Sequence, residues 1–161
     1  MLPWMKRAES AVETVSEDRN RVASVPDGLR VYAIGDIHGR ADLLDELHHM
    51  IRNDAADWEG DRIIVYLGDY IDRGMHNREV LDTLVHHPLA GFRSIHLIGN
   101  HEAVLLQFLQ DAEIARDWLS FGGETTLASY GVRLQRSGAT IDSLLEAKAN
   151  LQHNMPPEHL A

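Results

Sequence analysis

Three short apolar segments along the chain have the pattern of β-strands. They lie at residues 30–34, 63–67 and 94–98. Each is rich in β-branched or aromatic residues and ends in Gly-Asp or Gly-Asn, which is typical of a tight loop after a strand. The pattern therefore predicts three strands, each followed directly by a polar loop.

Apolar residues at helical spacing follow each predicted strand. The spacing predicts helices over about 42–53, over a segment around 80–85 that ends before Pro88, and over 103–110. Short helices joined by glycine turns are predicted near 118–123 and 129–131, and a further helix over 141–151. Strands that alternate with helices indicate an α/β fold whose mainly parallel sheet is covered on both faces.

The chain divides into two parts by composition. Residues 1–28 are polar and acidic and end in a Pro-Asp-Gly turn, so we expect a mobile or weakly helical extension. Residues 29–161 are expected to form one domain. In a parallel sheet ligands gather beyond the carboxyl ends of the strands, and we expect the three polar loops to converge there.

Composition excludes several classes of protein. The 161 residues carry a net charge of −10, which disfavours binding to nucleic acid. Cysteine is absent, so thiol catalysis and disulfides are excluded. No run of eighteen apolar residues and no signal-peptide core occurs, and we expect a cytoplasmic protein without a membrane partner.

The first polar loop carries Asp36 and His38 between two glycines. Two residues apart at a strand end, their side chains are expected to point the same way and could share one metal ion. The alternative is an ordinary turn that contains an aspartate and a histidine by chance.

The second loop places Asp69, Asp72 and Arg73 within five residues. Asp69 follows the strand directly and could bridge two metal ions. The planar guanidinium of Arg73 suits two phosphate oxygens. The alternative for Asp72 and Arg73 is a surface ion pair in a turn.

The third loop contains Asn100, His101 and Glu102. Asn100 could be a neutral metal ligand, and His101 could protonate a leaving alkoxide because histidine exchanges protons near neutral pH. The structural alternative is a helix start, in which Asn100 is the N-cap and Glu102 suits the first turn. Both interpretations can hold together.

The three loops together resemble the ordered motifs of calcineurin-like metallophosphoesterases, and more narrowly the phosphoprotein phosphatase branch with its bacterial serine/threonine phosphatases. The motifs are GDIHG at 35–39, GDYIDRG at 68–74 and GNHE at 99–102. The resemblance covers about residues 30–111. It implies that the chain contains the βαβαβ half of a metallophosphoesterase sandwich. The segment 118–123, with its paired glycines, is also similar to a region of bacterial members.

The resemblance implies a site for two divalent metal ions, with manganese expected and iron or zinc as alternatives. Asp36, His38 and Asp69 would hold the first ion, and Asp69 would bridge to a second ion that Asn100 also binds. A metal-bound water or hydroxide would attack phosphorus.

The resemblance also implies the catalytic roles. Arg73, together with Asn100, would bind the substrate phosphate. His101 would be the general acid, and Asp72 would orient it.

The chain departs from the family pattern in its C-terminal part. Family members supply further histidines there, including a Gly-His pair, and no Gly-His pair occurs in this sequence. His153 and His159 lie in a polar, proline-bearing tail and are not expected to replace them. Four histidines on predicted helices are expected to be solvated: His48, His49, His86 and His87. We therefore expect a truncated member with an exposed sheet edge and nearly no activity on its own.

The expected function is hydrolysis of phosphate monoesters, with phosphoserine or phosphothreonine in proteins as the substrate. A dinucleoside polyphosphate hydrolase and an inactive metal-binding fragment remain alternatives. A metal-dependent nuclease is disfavoured by the Asp-Arg-Gly ending of the second motif and by the acidity of the chain.

Overall fold

The computed structural model describes residues 24–134 and 140–160 and contains a three-stranded parallel sheet in the order β1-β2-β3. The strands are β1 (Leu29–Ile34), β2 (Asp61–Tyr66) and β3 (Arg93–His96). The helices are α1 (Ala41–Asp54), α2 (Asn77–His86), α3 (Asn100–Gln110), α4 (Ala115–Ser120), α5 (Gly123–Ser129) and α6 (Ile141–Asn154), with 3₁₀ turns at Ala112–Ile114 and Pro157–Leu160. The predicted α/β class and parallel strands are confirmed. The predicted extension over 1–28 lies mostly outside the described residues.

Only one face of the sheet is covered in the described part of the chain, so the prediction of two covered faces is wrong there. On the covered face Ile64 and Tyr66 are buried, whereas Val31 on the opposite face is 38% exposed and Ala33 is also exposed. The strands lie side by side in sequence order, so the connections from β1 to β2 and from β2 to β3 run in the same direction across the sheet. Because such connections are right-handed, both connecting helices lie on the same face.

Helix α1 packs against the covered face and buries His48, which contradicts the prediction that His48 is solvated. His48 is only 5% exposed, and its Nε2 lies 2.8 Å from the hydroxyl of Tyr66. It is four residues after Leu44 and three before Ile51, so it falls on the apolar stripe of the helix. The other three histidines of this set are exposed, as predicted: His49, His86 and, directly after α2, His87.

We expect His48 to make the fold less stable in mild acid. Burial lowers its pKa, and the nearby positive charge of Arg52 lowers it further. The folded state then binds fewer protons than the unfolded state, so the free energy of unfolding decreases as pH falls below about 6.5. His48→Asn should reduce this decrease between pH 7 and 5, measured by urea unfolding at each pH. Burial also lowers the pKa of His96 and of His159, so part of the slope should remain.

The control for this experiment is His49→Asn, at the exposed neighbouring position on the same helix. His49 makes only the smallest of the contributions to the lowered pKa of His48, so this variant should change the dependence on pH much less than His48→Asn does. Equal slopes in the His48 variant and the parent would contradict the prediction.

The C-terminal helices continue the core beyond the sheet. The ring of Trp118 in α4 lies 4.9 Å from that of Phe108 in α3, and both residues are fully buried. Helix α6 buries Leu144 and Leu151. In the described ranges no helix is long and apolar enough to span a membrane. This packing places α4 and α5 directly behind the loop that follows β2.

Candidate metal and phosphate site

The polar loops after β1 and β2 are joined by backbone hydrogen bonds. The amides of Ile37 and His38 both donate to the carbonyl of Asp69 at 2.9 Å, and the amide of Gly39 donates to Tyr70 at 2.8 Å. The amide of Gly74 donates back to the carbonyl of His38 at 3.1 Å. The predicted convergence of these loops therefore exists in the fold, and it is fixed by the main chain.

Four residues of this region have left-handed backbone conformations, which are unfavourable for residues with side chains. They are His38 (φ 44°), Asp69 (φ 54°), Asp72 (φ 71°) and Arg73 (φ 67°), and in the described ranges no other non-glycine residue has a positive φ. Such conformations cost about 1–3 kcal/mol each and cluster at functional sites, where the surrounding structure enforces them.

His38 presents a free nitrogen to the site. Its Nδ1 lies 2.8 Å from the carbonyl oxygen of Ile71, and because a carbonyl can only accept, Nδ1 carries the proton. In the neutral ring Nε2 then has a lone pair, and this buried atom has no hydrogen-bond partner among the described residues. Metal-binding histidines are held in this way.

Asp36 lies beside His38, but for a different reason from the predicted one. Its Oδ2 is 3.6 Å from Nε2 of His38. Strand β1 ends at Ile34, and the positive φ of His38 turns the chain, so strand periodicity does not align the two side chains. The loop conformation brings them together.

Asp69 occupies the centre of the cluster. Its Oδ1 accepts a hydrogen bond from the amide of His101 at 3.1 Å. Ligand atoms of His38, Asp69 and His101 lie within 4.8 Å of one another. A Cβ at Gly99 would collide with the carboxylate of Asp69, so this close approach of the third loop requires glycine.

Glu102 holds the second loop, a role that the sequence analysis missed. One carboxylate oxygen accepts from the amides of Asp69 at 2.8 Å and Gly99 at 3.0 Å, and the other accepts from Tyr70 at 2.8 Å. Burial, with a contribution from the charge of Glu102, raises the pKa of Tyr70 to about 12, so its hydroxyl stays protonated and donates to the carbonyl of Leu97 at 2.6 Å. The reach of Glu102 back to Gly99 is half of a capping box and was the available signal.

Asp72 is fully buried and contacts His101. Its Oδ2 lies 2.7 Å from Nδ1 of His101 and accepts from Nε1 of Trp118 at 2.8 Å, and Oδ1 accepts from the hydroxyl of Thr126 at 2.5 Å. The alternative of a surface ion pair between Asp72 and Arg73 is wrong, because Asp72 has no contact with solvent. Trp118 and Thr126 were not predicted as site residues, although 118–123 had been noted as similar to a bacterial segment.

We expect Trp118→Phe to destabilise the fold by about 2 kcal/mol, because it leaves a buried carboxylate with one donor fewer. Trp58→Phe is the matched control. It also removes an indole hydrogen bond, to the carbonyl of Asp61 at 3.2 Å, but this bond is exposed to solvent and Trp58 is only half-buried, so the loss should cost less than about 0.5 kcal/mol. Urea unfolding of both variants measures the difference, and equal losses would contradict the role of Trp118.

Arg73 and Asn100 lie at the exposed side of the site. Nη2 of Arg73 is 3.3 Å from Nε2 of His101, and the amide of Arg73 donates to the carbonyl of Gly122. Helix α3 begins at Asn100, and Gly99 occupies the cap position, so the alternative interpretation of Asn100 as the N-cap is wrong. The Asn100 side chain is thereby available to a ligand.

The two C-terminal histidines lie elsewhere. His153 is exposed near the end of α6, and His159 contacts Asp82 of α2. Neither belongs to the cluster around Asp69, in agreement with the expectation that they do not replace the family's further histidines.

Comparison with known proteins identifies relatives. Residues 29–151 match the family described as Calcineurin-like phosphoesterase. A bis(5'-nucleosyl)-tetraphosphatase PrpE of Halalkalibacterium halodurans is 28% identical over 134 residues, covering 79% of this chain and 53% of the relative. PrpE of Oceanobacillus iheyensis is 31% identical over 106 residues, which are 63% of this chain and 41% of the relative. Serine/threonine-protein phosphatase 2 of Escherichia coli is 34% identical over 95 residues, which are 58% of this chain and 38% of the relative.

The chain thus spans about half the length, or less, of the curated relatives it matches. The family match, in contrast, includes all three strands and all three polar loops of the described structure. The chain belongs to the calcineurin-like phosphoesterase family.

Proposed function

We propose that the protein hydrolyses phosphate esters with two divalent metal ions bound at the loops after the three strands. This proposal rests on one observation: the residues with strained backbone conformations are also the residues with side chains suited to the reaction. The non-glycine residues with positive φ in the described ranges all lie in this cluster, and each has a side chain suited to binding a metal, binding phosphate or orienting an acid: His38, Asp69, Asp72 and Arg73.

The residues present fit metal binding. The buried Nε2 of His38 has no hydrogen-bond partner in the described structure, and it lies beside the carboxylate of Asp36. We assign Asp36, His38 and Asp69 to one ion and Asp69 and Asn100 to the other. Carboxylate, amide and imidazole ligands suit manganese, with iron and zinc as alternatives. When bound, such ions polarise phosphoryl oxygens and activate water.

The chain's own residues supply substrate binding and proton transfer in this proposal. Arg73, with Asn100, holds phosphate oxygens at the exposed side of the site. His101 donates a proton from Nε2 to the leaving oxygen, because its Nδ1 is engaged by Asp72. Asp72 stays in place through Trp118 and Thr126 and orients the ring.

For the substrate we propose phosphoserine or phosphothreonine in proteins. Support comes from the DRG ending of the second motif and from the similarity to the Escherichia coli protein named as a serine/threonine-protein phosphatase. A second candidate is a dinucleoside polyphosphate, because two relatives are named as bis(5'-nucleosyl)-tetraphosphatases. A cytoplasmic location, the absence of a nucleic-acid partner and the weak activity of residues 1–161 alone stay predictions.

The test is a parallel assay of the complete gene product with Mn²⁺ on a phosphoserine peptide and on diadenosine tetraphosphate. Asp69→Asn serves as the control for contaminating phosphatases. Release of orthophosphate from the peptide supports the first candidate, and cleavage of the tetraphosphate alone supports the second. Failure to hydrolyse either substrate, or any aryl phosphate, with manganese, iron or zinc would overturn the proposed function.

A further inference from the structure

A second group of metal-binding side chains lies on α2 and the C-terminal 3₁₀ turn, outside the site described above. Asp82 and His86 are four residues apart on one face of α2, and His159 belongs to the turn Pro157–Leu160. One ligand atom from each of the three residues lies within 4.8 Å of the other two. The helix and the turn are therefore joined at this cluster, which we call the α2 cluster.

His159 provides an independent sign of a ligand. Its side chain is fully buried, and Nε2 points towards Asp82, with 3.1 Å between Nε2 and Oδ1. This nitrogen nevertheless makes no hydrogen bond of acceptable geometry among the described residues. A buried polar atom without a partner is costly, and a bound cation would satisfy it.

The other ring nitrogen of His159, Nδ1, is in contact with a tyrosine hydroxyl. Nδ1 lies 2.8 Å from the hydroxyl of Tyr130, and the two rings pack edge to face. If Nδ1 donates to the Tyr130 oxygen, Nε2 keeps its lone pair towards Asp82. Metal-binding histidines have such a partner behind the ring, which fixes both orientation and tautomer.

Charged groups on α2 and on the C-terminal turn contact the α2 cluster. Oδ2 of Asp82 lies 3.7 Å from Nε of Arg78, and Oδ1 faces His159. Glu158 adds a second carboxylate, with Oε1 3.7 Å from Nε2 of His86. Two histidines and two carboxylates thus lie close together, and Arg78 contacts the Asp82 oxygen that does not face His159.

We propose that Asp82, His86 and His159 form a second metal site that takes a transition-metal dication such as zinc and fixes the C-terminal turn to α2. Two imidazoles and a carboxylate are a zinc-type ligand set, and Glu158 is within reach as a fourth ligand. Donor atoms around a tetrahedral zinc lie about 3.3 Å apart, so the side chains need only small rotations to close on the ion. This site would be structural and does not depend on the proposed hydrolysis.

The test is a Zn²⁺ titration of the chain in an Asp69→Asn background, which weakens the first cluster. Calorimetry and thermal unfolding should show a bound ion and a rise in the melting temperature. His86→Gln and Asp82→Asn should each weaken this binding by at least about tenfold and remove most of the rise. His86 is exposed, so its variant should fold.

The matched control is His87→Gln, which changes the exposed neighbour of His86 and should leave Zn²⁺ affinity unchanged. The ¹⁵N chemical shifts of the imidazole rings, measured by NMR, provide the site-specific measurement. The resonance of Nε2 of His159 should move when Zn²⁺ is added. Unchanged affinity in both the His86 and Asp82 variants, or a His159 ring that does not respond, would overturn the proposal. The 3.1 Å contact between His159 and Asp82 would then be an ordinary polar contact without a metal ion.

Discussion

Replacing Asp69 by asparagine should lower the Mn²⁺ affinity of the chain by about 100-fold or more, because loss of residues that only support a ligand already costs about 10- to 100-fold. In the proposed site Asp69 would be a ligand of both ions, so the loss of its charge should weaken the binding of both. Isothermal titration with Mn²⁺ measures the change. Turnover of an aryl phosphate by the complete gene product should fall with it.

Asparagine should remove the charge of Asp69 and leave the local structure unchanged. Its Oδ1 can still accept from the amide of His101, and asparagine tolerates the left-handed backbone that Asp69 adopts at φ 54°. The fold should therefore survive while the charge is lost. Asp45→Asn, on the exposed side of α1, is the control and should keep the parental affinity. Parental Mn²⁺ affinity in the Asp69 variant would show that Asp69 is not a shared ligand.

The sequence predicted the strands and the loops well because both signals are local. Each predicted strand is a mainly apolar segment followed directly by glycine, and each boundary in the structure lies within two residues of the predicted one. Parallel strands then oblige the loops at their carboxyl ends to meet. The contact of Asp72 with His101, which the resemblance to the family implied, is present in the structure, and the two residues follow adjacent strands.

The contacts of Trp118 and Thr126 with Asp72 could not be predicted from local sequence in the same way. Thr126 is 54 residues from Asp72, and Trp118 is 46 residues away, on short helices whose placement depends on tertiary packing. Nothing local in a Thr-Leu or Trp-Leu sequence shows which buried acceptor its side chain will meet. The glycine pair at 122–123, where α5 begins, was visible in the sequence, but the contact of this helix with Asp72 was not.

His48 shows a different limit. Its position four residues after Leu44 placed it on the buried stripe, but residue type argued for solvent. The hydroxyl of Tyr66 on β2 decided the outcome, because it gives the buried ring a polar partner. The helical periodicity thus indicated the burial of His48 better than its residue type did, because Tyr66 satisfies the buried imidazole.

The uncovered face of the sheet follows from topology alone. With strands in the order β1-β2-β3, a right-handed connection places α1 and α2 on the same side. Continuous apolar strands predict that both faces are buried, but they do not say what covers each face. Val31 and Ala33 therefore stay exposed in the described structure, as expected of one layer of a sandwich.

Replacing His101 by asparagine should slow hydrolysis of an alkyl phosphate by about 100-fold or more and that of an aryl phosphate far less, because general acid catalysis contributes about 10²- to 10⁴-fold and a good leaving group hardly needs a proton. His101 is buried, with Nδ1 held by Asp72 and Nε2 facing Arg73. The asparagine amide can still donate to Asp72, so the network behind the site should persist.

The measurement is kcat on a phosphoserine peptide and on an aryl phosphate with the complete gene product and Mn²⁺. Asp72→Asn should reproduce the pattern of the His101 variant, because the acid then loses the carboxylate that orients it. His87→Asn, at an exposed position beyond α2, is the control and should change neither rate. Equal losses on the two substrates would remove His101 from the role of general acid and would leave it as a structural partner of Asp72.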